Sequence, residues 1–138
     1  MAQEIARALR ESKTIALVGA SLNPDRPSNE VMAFLLARGY RVIPVNPGLG
    51  GKEIHGQKVF ENLAAIDEPI DMVDIFRNSE AAAEVVNEAL ALSPLPKVIW
   101  MQLGVINDEA AERARAAGLS VIMNRCPVIE LTRGTEGL

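Results

Sequence analysis

The sequence predicts an α/β fold built on a doubly wound parallel sheet of about five strands, with helices on both faces. Short β-branched runs alternate with stretches of helical periodicity along the chain, an order that favours strand–helix–strand units. The run over residues 14–18 is apolar nearly throughout, as is typical of a central parallel strand. Right-handed crossovers between such units give a Rossmann-like sheet, for which we expect the strand order 3-2-1-4-5.

The individual elements follow from periodicity and from capping residues. A leading helix is expected over residues 3–11, where Ile5, Ala6 and Leu9 form one apolar stripe. Side chains that cap helix N-termini mark the other helix starts, and glycines such as Gly39 and Gly118 mark two of the ends. The predicted strands are residues 14–18, 41–45, 72–76, 98–101 and 119–123. The predicted caps are Ser28 or Asn29, Ser79, and Asn107 or Asp108.

Length and composition limit the classes of function. The 138 residues suit one domain, which we expect to span 1–138. With 14 basic and 18 acidic residues the net charge is −4, so nucleic acid is not an expected partner. We expect a cytoplasmic protein without a membrane partner, because no signal-peptide pattern or bilayer-length apolar run is found. One Cys and one His make a disulfide framework and a metal site improbable.

Polar residues follow each predicted strand. Ligands of doubly wound sheets bind beyond the carboxyl ends of the strands, so these segments form the expected binding edge. Arg77 and Arg125 lie in them, and Arg26 belongs to the first loop. In a chain of negative net charge, three arginines at one edge indicate an anionic ligand. The segments are residues 19–21, 45–47, 76–78, 101–104 and 124–127.

The turn after the first strand gives the sharpest indication of a nucleotide. Gly19 permits a tight turn and a close approach of phosphate to the backbone, while Ser21 offers a hydroxyl. The amides that open the following helix are further donors, placed at the positive end of its dipole. The alternative is that Gly19 only lets the strand turn into its helix. The polar loop and Arg26 favour phosphate binding.

The same turn departs from the pattern of dinucleotide-binding enzymes. Ser21 occupies the position of the second glycine and Pro24 that of the third. At the end of the second strand, Asn46 stands where an acidic residue would hold the NAD ribose. His55, the only histidine, lies in a glycine-rich excursion where a solvated side chain is expected. These features disfavour a dehydrogenase.

No set of residues predicts catalysis. Ser21 has no histidine near it in any motif, and neither Asp71 nor Asp74 has an evident acid–base partner, although Asp74 could be a buried, hydrogen-bonded carboxylate. Cys126 can be interpreted in two ways, as a small buried residue or as a reactive thiol at the edge of the crevice. Trp100 is expected in the core, whereas Phe76 is better placed to contact a ligand.

The segments 15–21, 26–28, 42–47 and 124–127 together resemble the CoA-binding domain family, and the similarity extends over residues 14–131. That family includes the N-terminal domain of the succinyl-CoA synthetase α subunit and small stand-alone proteins. The synthetases carry a lysine where this chain has Leu49, and Lys52 could replace it. The resemblance implies a CoA site formed by Gly19, Ala20, Ser21, Arg26, Pro27, Ser28, Val45, Asn46, Pro47, Phe76, Arg77, Met101, Gln102, Asn124, Arg125, Cys126 and Pro127.

Within this set, the resemblance places the Gly19–Ser21 turn and Arg26 against the phosphates, residues 45–47 beside the adenosine, and residues 124–127 towards the pantetheine arm. The synthetase's phosphorylated histidine belongs to a second domain, so acyl-CoA synthesis is not expected here. We therefore expect a non-catalytic module that binds CoA or a short acyl-CoA as carrier, sensor or partner subunit. The alternatives are a regulator that binds NAD or another nucleotide, and an enzyme with CoA as cosubstrate. A homodimer or a partner enzyme is possible.

Overall fold

A five-stranded parallel sheet forms the centre of the molecule in the computed structural model, which describes residues 2–133. A two-stranded antiparallel hairpin lies outside it. The central sheet confirms the predicted fold class, while the single domain over 1–138 stays a prediction whose ends lie outside the described residues. The sheet strands are β1 (Thr14–Val18), β2 (Arg41–Val45), β5 (Met72–Ile75), β6 (Val98–Met101) and β7 (Ser120–Ile122), and the hairpin strands are β3 (Glu53–Ile54) and β4 (Gln57–Lys58).

Helices cover both faces of the sheet, and each strand alternates its side chains between two apolar clusters. In β1, Ile15 and Leu17 pack with the helices of one face, whereas Ala16 and Val18 pack with those of the other. The first face carries α1 (Ala2–Glu11), α2 (Pro27–Ala37) and α5 (Pro127–Thr132). The second carries α3 (Ser79–Leu90), α4 (Asp108–Ala116) and a 3-10 turn (Leu63–Ala65).

The strand order is β2-β1-β5-β6-β7, which differs from the predicted 3-2-1-4-5 in the place of one strand. The third strand of the sheet, β5, pairs with β1 and lies between the first and fourth strands. The second strand is therefore at the edge. Pro44 explains this, because a proline has no N–H for a second ladder and is tolerated at a sheet edge. On that edge, Phe60 donates its amide to the Pro44 carbonyl and accepts from the Asn46 amide.

The caps differ from the prediction at two helices. Arg26 is the N-cap of α2 and Pro27 its first residue, in place of a cap at Ser28 or Asn29. Proline suits that first position because its φ is already helical and its missing N–H would have had no partner. At α3 the cap is Asn78, whose side chain accepts from the Ala81 amide at 2.8 Å, one residue before the expected Ser79. Asn107 caps α4 as predicted.

The hairpin β3–β4 was not predicted, because each of its strands has only two residues. Its two turn residues, His55 and Gly56, have φ of 49° and 78°. Two successive positive φ values define the turn type that best matches the twist of paired strands. The pairs that mark such a turn most strongly are Asn-Gly, Asp-Gly and Gly-Gly, so in His-Gly only the glycine was a sign of a hairpin.

Candidate functional site

Two adjoining clefts open at the carboxyl ends of the sheet strands. The first has a volume of about 630 Å³ and the second about 760 Å³. They are joined by three residues that line both, namely Pro27, Phe76 and Arg77. The first cleft is otherwise lined by Gly19, Ala20, Ser21, Arg26, Ser28, Asn46, Pro47, Gly48 and Leu49, and the second by Glu30, Val31, Phe34, Asn78, Gln102, Leu103, Val105, Cys126 and Val128.

Gly19 is required by its contact with the neighbouring strand end. Its φ is +94°, a conformation that other residues rarely adopt, and a Cβ built on it would collide with the Phe76 carbonyl group. The amides of Gly19 and Ala20 both donate to the Val45 carbonyl, at 3.0 and 3.2 Å. These two amides are therefore occupied within the protein, and the predicted close approach of phosphate to this turn does not use them as donors.

The loop that follows the turn is held by its own side chains. Ser21 Oγ accepts from the Asn23 amide at 3.1 Å, and Asn23 Oδ1 accepts from the Asp25 amide at 2.9 Å. Asn29 Nδ2, from the first turn of α2, donates to the Ser21 carbonyl at 2.8 Å. Because three local hydrogen bonds fix the loop, Arg26 leaves it from a backbone that is already ordered.

His55 supports this loop from outside the two clefts. Its Nε2 lies 2.8 Å from Asn29 Oδ1 and 3.2 Å from the Asn29 carbonyl oxygen. Both neighbours are acceptors, so Nε2 carries the proton and donates. The chain of contacts runs from His55 through Asn29 to Ser21 and connects the hairpin to the first cleft. His55 is exposed, as the sequence predicted, but it is also hydrogen-bonded, and only the fold could reveal this pairing, because 26 residues separate the two side chains.

Asn46 joins the two loops that border the first cleft. Its Nδ2 donates to the Ala20 carbonyl at 2.8 Å, and its Oδ1 accepts from the Gly48 amide at 2.9 Å. A carboxylate here would place an acceptor against the Ala20 carbonyl and lose one of these bonds. The absence of an acid at this position therefore has a structural reason in addition to its bearing on NAD.

The charge of the first cleft is one-sided. Arg26 and Arg77 line it, and both side chains are exposed. Its lining contains no aspartate or glutamate, although the chain has more acidic than basic residues. Lys52, the possible substitute for the missing lysine, is exposed and lies outside this lining, which Leu49 joins instead. The first cleft is thus suited to an anion with two or more negative charges.

The second cleft is largely apolar, with a few polar groups. Val31, Phe34 and Phe76 supply much of its surface. Gln102 is only 6% exposed, and its Oε1 has no hydrogen-bond partner within the described structure. Cys126 is 8% exposed and is a free thiol. An elongated uncharged group with hydrogen-bond donors matches this lining.

Several predicted site residues lie elsewhere. Val45 and Met101 are buried in the cluster beneath α3 and α4, which corrects the expectation that they border the ligand. Asn124 is exposed, adopts φ of 58° and accepts from the Gly104 amide through Oδ1 at 2.8 Å. The Arg125 carbonyl accepts from Trp100 Nε1 at 2.8 Å. Pro127 is buried at the start of α5. Ligand contacts at residues 124–127 stay predictions, and Cys126 is the one that lines a cleft.

Asp74 is a buried acid away from both linings. It lies in β5 between Leu17 and Trp100 of the adjacent strands and is fully buried. Neither carboxyl oxygen has a hydrogen-bond partner among the described residues, contrary to the expectation of a hydrogen-bonded carboxylate. Burial raises the pKa of Asp74 well above its ordinary value, because the charged form would lose its hydration. Trp100, beside it, is in the core as predicted.

Membrane-spanning helices and metal-binding clusters are both absent from residues 2–133. No helix among them is long and apolar enough to cross a membrane. The same residues contain no cluster of three or more His, Cys, Asp or Glu side chains that could hold a metal ion.

Two proteins of similar sequence match most of this chain. The protein YneT of Bacillus subtilis strain 168 is 42% identical over 123 residues, which cover 89% of this chain and 88% of YneT. The α subunit of an ADP-forming acetate–CoA ligase from Pyrococcus furiosus is 27% identical over 127 residues. That match covers 83% of this chain but only 28% of the ligase subunit, so the chain corresponds to one part of the larger protein.

Solved structures show the same fold. A hypothetical protein from Pyrococcus horikoshii OT3 has a TM-score of 0.89 and 38% identity, covering 96% of this chain and 91% of that one. A Thermus thermophilus protein has a TM-score of 0.89 and 37% identity, covering 96% and 98%. A model of the CoA binding domain matches residues 13–132, nearly the whole chain, at the segments whose resemblance was noted from the sequence. The chain therefore belongs to the family of CoA binding domains.

Proposed function

We propose that this protein binds coenzyme A or a short acyl-CoA as a non-catalytic module, with the phosphates in the first cleft and the thiol arm in the second. The observation that carries the proposal is the pairing of the two clefts. One is cationic and the other apolar, and Pro27, Phe76 and Arg77 join them. Coenzyme A has the same division, since a phosphorylated nucleotide is joined to an uncharged arm that contains amides.

In this arrangement, Arg26 and Arg77 bind the phosphates. Guanidinium groups form charge-assisted, often bidentate hydrogen bonds with phosphate oxygens. The Ser21 loop and the first turn of α2, where Ser28 is buried in the lining, position Arg26. In the first turn of α2, Pro27 has no N–H and the amides of Asn29 and Glu30 donate to the Arg26 carbonyl, so the Ser28 amide is the donor that this turn can offer to an anion.

The arm then follows the second cleft. Phe76, at the junction, contacts the ligand on both sides, and Phe34 and Val31 cover the apolar part of the arm. The buried Gln102 Oε1 accepts a hydrogen bond from an amide N–H of the arm. This contact would satisfy a polar atom whose burial without a partner is costly.

The two clefts differ in the reactive side chains that line them. The first, which would hold the phosphates, is lined by no His, Cys, Asp or Glu, whereas the second, which would hold the thiol arm, is lined by Glu30 and Cys126. The non-catalytic role therefore rests on the family match and not on the linings. The match to 28% of a ligase subunit is in keeping with a module that acts as carrier, sensor or partner subunit of another enzyme. A CoA-dependent enzyme activity is the competing proposal, and turnover of acyl-CoA by the purified protein would establish it.

Isothermal calorimetry against CoA, NAD and ATP tests the ligand. We expect CoA to bind most tightly, and tighter binding of NAD would overturn the proposal in favour of a dinucleotide-binding regulator. Arg26→Ala and Arg77→Ala should each weaken CoA binding by about 1.5–3 kcal/mol, the usual contribution of a charged hydrogen bond. Lys97→Ala is the matched control. Lys97 is an exposed cation that immediately precedes β6, so it lies at the amino ends of the strands, away from the clefts at their carboxyl ends. An equal effect of all three variants would mean that only overall charge matters.

A further inference from the structure

The chain's only thiol lies in the second cleft. Cys126 is free, 8% exposed and part of the cleft lining, together with Val128 of α5 and Phe34 of α2. A buried cysteine in a closed core has no route to a reactant. Cys126 differs because its small accessible surface belongs to a cavity of about 760 Å³.

A second, independent feature of the same cavity indicates that a ligand arm enters it. Gln102 is 6% exposed, lines the cavity and leaves Oε1 without a partner, while its backbone N–H and C=O are used by Ile75 and Val105. Native proteins rarely leave a buried side-chain oxygen unpaired. A ligand with N–H groups would supply the missing donor, and the amide-containing arm proposed above has them.

We infer that Cys126 exchanges with disulfides of the ligand's terminal thiol and forms a mixed disulfide with the arm in the second cleft. This inference rests on the proposed function, because the arm reaches Cys126 only if its phosphates are bound in the first cleft. The shared residues Phe76 and Arg77 provide the path between the two. The site would make the module a reversible covalent holder of coenzyme A.

The exchange balances without an external oxidant. Cys126 loses its proton to solvent, and the thiolate Sγ attacks one sulfur of a CoA disulfide. A new bond forms between Sγ and that sulfur as the ligand's S–S bond breaks. The departing thiolate keeps the electron pair and takes up a proton from solvent. To reverse it, a thiol attacks the CoA sulfur of the mixed disulfide, which restores the Cys126 thiol and leaves CoA in a new mixed disulfide. A second thiol, or the other thiol of dithiothreitol, then releases reduced CoA and becomes part of the disulfide that remains.

The test compares two disulfides by intact-protein mass spectrometry of the whole chain. One is the symmetrical disulfide of CoA, and the other is pantethine, which has the same arms without the nucleotide. We expect a single adduct of one CoA moiety that dithiothreitol removes, formed at least about tenfold faster than the pantethine adduct, because binding of the phosphates raises the effective concentration of the disulfide. Arg26→Ala should slow the CoA reaction and leave the pantethine reaction unchanged. Cys126→Ser, which has no thiol, should gain no mass.

Equal rates for the two disulfides, or no adduct where urea-unfolded protein reacts, would overturn the inference. Calorimetry with reduced CoA under dithiothreitol distinguishes this failure from failure of the proposed function. If reduced CoA binds but no preferential adduct forms, Cys126 is not an exchange site and the binding module stands. If reduced CoA does not bind, both proposals fall.

Discussion

The carbonyl group of Phe76 lies over Gly19 so closely that a Cβ there would overlap its oxygen and come within 2.9 Å of its carbon. The Phe76 amide in turn donates to the Val18 carbonyl at 2.8 Å, so the end of β5 is fixed against the end of β1. The first cleft depends on this contact, since Gly19 and Phe76 both line it.

Gly19→Ala is therefore expected to destabilise the fold strongly. A positive φ alone costs a non-glycine residue about 1–2 kcal/mol, and the collision with Phe76 adds to this. Gly118→Ala is the matched control, because Gly118 has φ of +97° but open space where its Cβ would lie. Urea unfolding should show a loss in the free energy of unfolding for Gly19→Ala at least about twice that for Gly118→Ala. Equal losses would show that φ alone decides, without the Phe76 contact.

Asp74→Asn should stabilise the protein at neutral pH. The pKa of Asp74 is raised by burial, so the folded state holds a proton that the unfolded state releases above its ordinary pKa of 3.8. Between these two pKa values, stability falls by about 1.4 kcal/mol per pH unit as pH rises. The gain from Asn should therefore be present at pH 7 and shrink as pH is lowered towards 4, when measured by urea unfolding at each pH. A gain that does not vary with pH would contradict a raised pKa.

Asn46→Asp tests whether an acidic residue at this position changes the preference of the site from CoA to NAD. The variant loses the donor to the Ala20 carbonyl and places a charge in a cleft suited to anions. We expect CoA affinity to fall by about tenfold or more, since an unmatched polar group costs about 1–3 kcal/mol, with no gain for NAD. Calorimetry with both ligands measures this. A variant that prefers NAD would mean that Asn46 determines the ligand directly rather than through loop geometry.

His55→Asn tests the support given to the Ser21 loop. Asparagine tolerates the positive φ of this turn position, but its shorter side chain does not reach Asn29. We expect CoA affinity to fall about three- to tenfold, the equivalent of roughly one hydrogen bond, although His55 lies outside both linings. Lys52→Ala, in the same excursion, is the control and should change affinity less than about twofold, the effect of a distant exposed charge. A large loss at Lys52 would restore it as a phosphate contact.

The fold class, the five strands of the central sheet and the end of the sheet at which the clefts open could be predicted, because each depends on local periodicity and on one topological rule. The strand order could not, although Pro44 carried the signal that β2 is an edge strand. Within the site, Gly19, Ala20, Ser21, Arg26 and Phe76 line a cleft, and their contact with a ligand stays a prediction. Met101 lies outside both linings, because side chains alternate along β6 and the Met101 side chain is on the face that α3 and α4 cover. The links from Asn29 to His55 and from Asn46 to Ala20 join distant segments, and no local pattern encodes them.

The Val45 carbonyl accepts hydrogen bonds from both amides of the turn. The backbone that shapes the first cleft is therefore distinct from the side chains that give the cleft its charge. The turn belongs to the scaffold, whereas the cations that line the first cleft are two exposed side chains, Arg26 and Arg77. Substituting those two side chains would therefore change which phosphorylated group the cleft binds, while the backbone of the cleft keeps its shape. Because the backbone and the charged side chains are independent, the domain is suited to redesign as a sensor for other phosphorylated small molecules.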